Sequence, residues 1–183
     1  MGSDSLLARE IRDLAAGGAG LALRLIAAEE EREGTLTRVG DEPAVLGALN
    51  AASLSGASVV ILAGGAASAA KALELLGDPP ESKVVDLTYT AEERPDARLR
   101  APAVETGEEE DAGEAAVHAI AHPAAIAMAM LLRRVHRNDP IARAVIQVFA
   151  PASEQGTAGV EELKEQTVSL LTFKNMPKAV FDA

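Results

Sequence analysis

Residues 57–87, ASVVILAGGAASAAKALELLGDPPESKVVDL, decide the fold. Ala57–Ala63 is a continuous apolar run of strand length and branched composition, as expected of a parallel-sheet strand covered on both faces. It breaks at Gly64-Gly65, and Ala66–Leu76 then follows as a small-residue helix ended by Gly77-Asp78-Pro79-Pro80. Lys83–Leu87 reads as the next strand. Strand, glycine turn, helix and strand make a βαβ unit.

Upstream, Ser3 or Asp4 is placed to cap a helix carrying Leu7, Ile11 and Leu14 at helical spacing, with Gly17-Gly18 as its stop. Leu21–Ala27 reads as a short buried strand, Glu29–Gly34 as a turn and Thr35–Val39 as a second strand. Asp41–Leu54 reads as a weakly helical or looped connection. Downstream, Thr88–Glu114 is rich in proline and charge, with LRAPAVE the only extended hint, and the acidic run Glu105–Glu114 reads as a solvated loop.

Ile120–Asn138, IAHPAAIAMAMLLRRVHRN, starts a helix at Pro123, where the missing N–H would be unpaired anyway. Ala124–Leu132 has no polar side chain, so the pattern predicts a core helix covered on most sides, with Met128 and Met130 as filler. Arg133, Arg134, His136 and Arg137 complement the negative end of its dipole. Ala144–Phe149 reads as a strand, Val160–Leu171 as a helix with Val160, Leu163, Leu170 and Leu171 inward, and Thr172–Ala183 as a loop.

Composition limits the function. The chain has 183 residues and a net charge of −11, which argues against a nucleic-acid or anionic-membrane surface. It has no cysteine, so disulfides, thiolate metal sites and cysteine nucleophiles are excluded. No apolar run reaches a bilayer-spanning length and the N-terminus lacks signal-peptide features, so a cytoplasmic protein is expected. His118 and His122 straddle the point where the helix begins, and no H-E-x-x-H arrangement occurs, so no metal site is expected. Gly64-Gly65 would let a backbone approach a phosphate, yet glycines equally serve a tight turn, and no full G-x-G-x-x-G fingerprint is present.

Ala150–Leu171, APASEQGTAGVEELKEQTVSLL, resembles the strand-loop-helix of aspartate-semialdehyde dehydrogenases, with Gly156, Gly159, Val160, Glu162, Leu163, Gln166 and Thr167 carrying the match. Ala63-Gly64-Gly65-Ala66-Ala67-Ser68 is similar to that family's S-A-G-G-x-x-S cofactor loop, and Val84–Thr88 to its V-I-D-N-S strand end. The resemblance implies an α/β fold. A Rossmann-like parallel sheet lacking its first strand (residues 1–120) would be followed by an interdomain helix and part of an α+β dimerisation domain (residues 121–183).

It also implies NADP as cofactor, with Gly64, Gly65, Ala66, Ser68 and Thr88 as the binding residues, and a homodimer or a pairing with a full-length relative. Ala125 falls at the family's cysteine, Ala124 at the asparagine before it and Ala150 at the glutamine of T-Y-Q. The chain is thus similar to a cysteine-less, dehydrogenase-like branch, and acyl-thioester chemistry is not available to it. The first strand with its G-A-T-G loop is expected ahead of Met1, and the catalytic histidine and substrate arginine beyond Ala183. The function expected is a non-catalytic relative; the alternatives are a dimerisation module or a gene fragment.

Overall fold

The computed structural model describes residues 1–16, 21–105 and 115–181. In chain order the elements are α1 (Leu6–Ala16), β1 (Leu36–Val39), β2 (Glu42–Val45), α2 (Ala51–Leu54), β3 (Val59–Leu62), α3 (Ala66–Leu76), β4 (Lys83–Asp86), β5 (Ala97–Arg100), β6 (Val117–Ile120), α4 (Pro123–His136) and α5 (Gly156–Leu171), the last preceded by a 3₁₀ turn at Ala152–Gln155. The helix expected from Val160 starts four residues earlier, and the helix expected from Ser3 or Asp4 is capped by Ser5. Its Oγ accepts the Ala8 N–H at 3.1 Å and donates to Ala63 O at 2.7 Å.

The central sheet has the order β3-β4-β6-β5, and its pairs are parallel. Leu62 stands opposite Asp86, and Asp86 opposite Ala119, so the three strands end level with one another. This is the α/β arrangement that the βαβ pattern predicts. Val60, Leu62, Val84, Val117 and Ala119 pack on one face against Ala69, Ala72 and Leu73 of α3, and all are buried. Small residues let α3 lie close to the sheet.

The other face is less covered than the apolar run suggests. Val59 is 53% exposed, and Ile61, Val85 and His118 are only half-buried. Strict alternation of burial along β3, β4 and β6 is the mark of a sheet packed chiefly on one side.

Met1–Ser3 runs alongside this sheet and hydrogen-bonds to it. The Met1 amine donates to Ile61 O at 2.9 Å, Ala63 N–H donates to Met1 O at 3.1 Å, and Ser3 N–H donates to Ile26 O at 3.2 Å. These three residues therefore lie between β3 and the Leu25–Ala28 segment. That segment is extended and buried but forms only a single bridge, Ile26 to Gly47, whereas Leu21 and Leu23 are exposed. A cavity of about 670 Å³ opens beside Met1, between Leu21–Ile26 and Ser58–Ile61. A turn in which Ser5 N–H donates to Gly2 O at 3.2 Å opens α1.

Asp41–Leu54 is more regular than its sequence indicates. β2 pairs with β1 as an antiparallel hairpin, and Asn50 caps the single turn of α2. Gly17-Gly18 and most of the acidic run, residues 106–114, lie outside the described residues.

The C-terminal third differs most from expectation. No residue of α4 is buried, and Leu131 is 64% exposed, so α4 is not a core helix here. Ala144–Phe149 is not a strand; it is unpaired in the described structure, with Val145 and Phe149 exposed. In α5, Leu163, Leu170 and Leu171 face solvent rather than inward, and only Gly159 and Glu162 are buried. A strand needs a partner and an apolar helix face needs a covering layer. The described residues supply neither.

Candidate functional site

In a parallel sheet, ligands gather outside the carboxyl ends of the strands. At this edge the Gly64-Gly65 turn follows β3, the Leu87–Ala91 loop follows β4, and His122 follows β6.

The glycine turn is tightly built. Gly2 adopts φ +74°, and a Cβ placed on it would stand 2.2 Å from Gly64 N. Only glycine tolerates both the left-handed backbone and that approach. Gly65 caps the start of α3, and Ala66 is its first helical residue. The starts of α1 and α3 are thereby brought side by side.

Ser68, on the first turn of α3, is completely buried. Its Oγ accepts the Glu29 N–H at 2.7 Å and donates to Glu30 Oε2 at 3.0 Å. Gly65 N–H donates to Glu30 Oε1 at 2.6 Å. Glu31 accepts from Asp4 N–H at 2.8 Å and from Ala28 N–H at 2.9 Å. The Glu29–Gly34 segment, which reads in sequence simply as a turn, therefore supplies the hydrogen-bond acceptors of the site. Its only legible signal is three consecutive carboxylates just after an apolar run.

Thr88 is engaged elsewhere. Its N–H and Oγ1 both donate to Asp86 Oδ1, at 2.8 and 2.6 Å. Asp86 is completely buried, and its other oxygen accepts the Ala91 N–H at 2.7 Å. The Asp86 carboxylate thus folds the loop after β4 back on itself. Gly64, Gly65, Ala66 and Ser68 come together around one turn; Thr88 belongs to the neighbouring one.

The start of α4 forms a second constellation. His122 Nδ1 accepts the Ala124 N–H at 3.1 Å, which leaves Nε2 pointing outward, 3.3 Å from Glu154 Oε1. The Tyr89 ring lies 5.5 Å from the His122 ring, on a residue with φ +63°. Burial raises the Tyr89 hydroxyl pKa, and the nearby carboxylates Glu154, Glu92 and Asp86 add to the effect. Tyr89 and Glu154 carry no sequence signal; His122 is the cap its position suggests. His118 lies on β6, where burial first and then Arg100, Lys83 and Arg98 depress its pKa. It joins no catalytic group.

Ala125, which the sequence resemblance sets at the cysteine of the aspartate-semialdehyde dehydrogenases, is exposed on the first turn of α4. A methyl group there can neither attack a carbonyl nor hold an acyl group. Histidine, tyrosine and glutamate can hold or move a proton at this edge, and no cysteine accompanies them. Among the described residues, no group of three His, Asp or Glu side chains is placed to hold a metal ion. No helix is long and apolar enough to cross a membrane among the described residues.

The donors that would receive NADP phosphates are the amides at the starts of α1 and α3. Asp4 N–H and Gly65 N–H already donate to carboxylates, and those carboxylates bring like charge to the place a phosphate would take. The residues present do not fit the phosphates of NADP.

No family model matches the sequence, and no curated protein does. Solved structures do match. Aspartate semialdehyde dehydrogenase II from Vibrio cholerae, in two structures of which one is complexed with ASA, is similar at 19% identity and a TM-score of 0.78. A probable aspartate-semialdehyde dehydrogenase from Pseudomonas aeruginosa is similar at 19% identity and a TM-score of 0.67. Each match covers 100% of this chain and 54% of the other. The chain spans about half the length of the proteins it resembles, and the likeness shows the fold.

Proposed function

We propose that this chain is a non-catalytic relative of the aspartate-semialdehyde dehydrogenases that acts as a dimerisation module, pairing through its C-terminal third with a second copy of itself. The observation that carries this reading is the apolar surface left open there. Val145 is 84% exposed, Phe149 87%, Leu171 73% and Phe173 98%, and Leu131, Val168 and Leu170 are exposed as well. Monomers rarely leave so many large apolar side chains in water, and surfaces of this kind mark contacts with another chain. The absent thiol supports the non-catalytic half: the chain has no cysteine, and Ala125 stands at the helix start where a nucleophile would be placed.

Sedimentation equilibrium of the purified chain tests the pairing. A dimer is expected, and Phe149→Ser with Leu171→Ser should shift it toward monomer while the far-ultraviolet circular dichroism is unchanged. A strict monomer at the highest concentrations would refute the module, and reduction of an acyl phosphate by the pure protein would refute the non-catalytic reading.

A further inference from the structure

Glu29 and Glu30 are exposed and Glu31 is half-buried, yet each of the three carboxylates is engaged by the protein. Glu29 Oε1 accepts from Lys71 Nζ at 2.7 Å. Glu30 bridges Gly65 N–H and Ser68 Oγ, and Glu31 bridges Asp4 N–H and Ala28 N–H. Glu30 engages the Gly65 amide that opens α3, and Glu31 the Asp4 amide one residue ahead of the Ser5 cap of α1, each helix being eleven residues long. Such helix starts carry partial positive charge and N–H groups without helical partners, which is what a ligand phosphate uses. The approach is close as well: a Cβ on Gly65 would lie 3.0 Å from Glu30 Oε1, so the carboxylate sits directly over the glycine turn.

We propose that Glu30 and Glu31 are built-in anions that take the place of a dinucleotide's phosphates, so that the wild-type protein excludes NADP. The disagreement between the residues present and the cofactor implied by the fold carries this inference. A tethered carboxylate competes at the high effective concentration of an intramolecular group. An incoming phosphate must displace it and then remain beside it, with like charges opposed in a partly covered turn. The acidic turn is thus the selective element of the site, and its sense is negative: it rejects phosphate and has no need of one to complete the fold.

Thermal unfolding with millimolar NADP tests this, and its readout is independent of dimer formation and of catalysis. Glu30→Ser with Glu31→Ser opens the amides. Glu30→Gln with Glu31→Gln removes both charges while leaving an acceptor oxygen in each position, and so guards against loss of fold. The wild-type transition should not move. The transition of at least one double variant should rise, by about 3–6 °C when NADP reaches ten times its dissociation constant. A comparable rise in the wild type overturns the proposal, and so does the absence of any rise in variants that unfold cooperatively.

Discussion

Replacing Asp86 by alanine should be among the most damaging single changes to this fold. Its carboxylate is completely buried at the end of β4 and accepts three hydrogen bonds, from Thr88 N–H, Thr88 Oγ1 and Ala91 N–H, at 2.8, 2.6 and 2.7 Å. Ala91 is itself completely buried, so Asp86→Ala strands its N–H without water, which costs about 1–3 kcal/mol. Thr88 is half-buried, and water can recover part of its two lost bonds, so about 1 kcal/mol each is a fair figure there. The total is about 3–5 kcal/mol, a large share of the roughly 5–15 kcal/mol that holds a domain together. For a chain of this size the transition temperature should fall by about 6–20 °C. Asp86→Asn keeps one acceptor oxygen but turns an N–H₂ toward one of the donors, so about half the loss should remain. The chain has no tryptophan and one tyrosine, so urea unfolding followed by circular dichroism is the suitable assay. A loss below about 1 kcal/mol for Asp86→Ala would refute the assignment of this carboxylate as the organiser of the loop.

Gly2→Ala should destabilise by more than about 3 kcal/mol, because its Cβ would collide with the Gly64 backbone at a left-handed φ; a variant with an unchanged midpoint would show that the Gly2–Gly64 contact does not form. Stability should rise from about pH 5.5 to about pH 8.5. Burial lowers the pKa of the Met1 amine, partly opposed by Glu31, and also lowers that of His118. Both groups bind protons more weakly when folded, so their contribution is complete above the unfolded values of about 8 and 6.5 and is lost as pH falls through the folded ones. Asp96 and Glu105 are held below the usual carboxylate range by their arginine partners and act only in acid. A urea midpoint that is flat or falls across that interval would contradict the burial of the Met1 amine.

The βαβ unit was legible because its signals agree: a branched apolar run, a glycine pair, a small-residue helix and a second branched run each point to the same local structure. β3, α3 and β4 follow at the expected places. The α4 helix was legible in its start and stop, since the His122-Pro123 cap and the basic last turn are local chemistry. Its burial was not, because periodicity reports that a face is apolar and says nothing of what covers it. The same limit applies to Ala144–Phe149, whose β-favouring residues need a partner strand before they become one. Gly64, Gly65 and Ser68 were legible as a turn and helix start. The acceptors that fill it were not, because Glu30 lies 35 residues from Gly65 in the chain and meets it only through the register of the sheet.

The position of Met1 has a consequence for protein engineering. Its amine occupies the place of a strand amide opposite Ile61, and it is flanked by the 670 Å³ cavity between Leu21–Ile26 and Ser58–Ile61. A fusion joined there would have to thread its last residues through that apolar slot as an added parallel strand. A branched apolar linker would fit, and a glycine-serine or histidine tag would not. Labels and immobilisation handles therefore belong on an exposed loop such as Glu33-Gly34, where a Cβ built on Gly34 meets no atom within 4 Å.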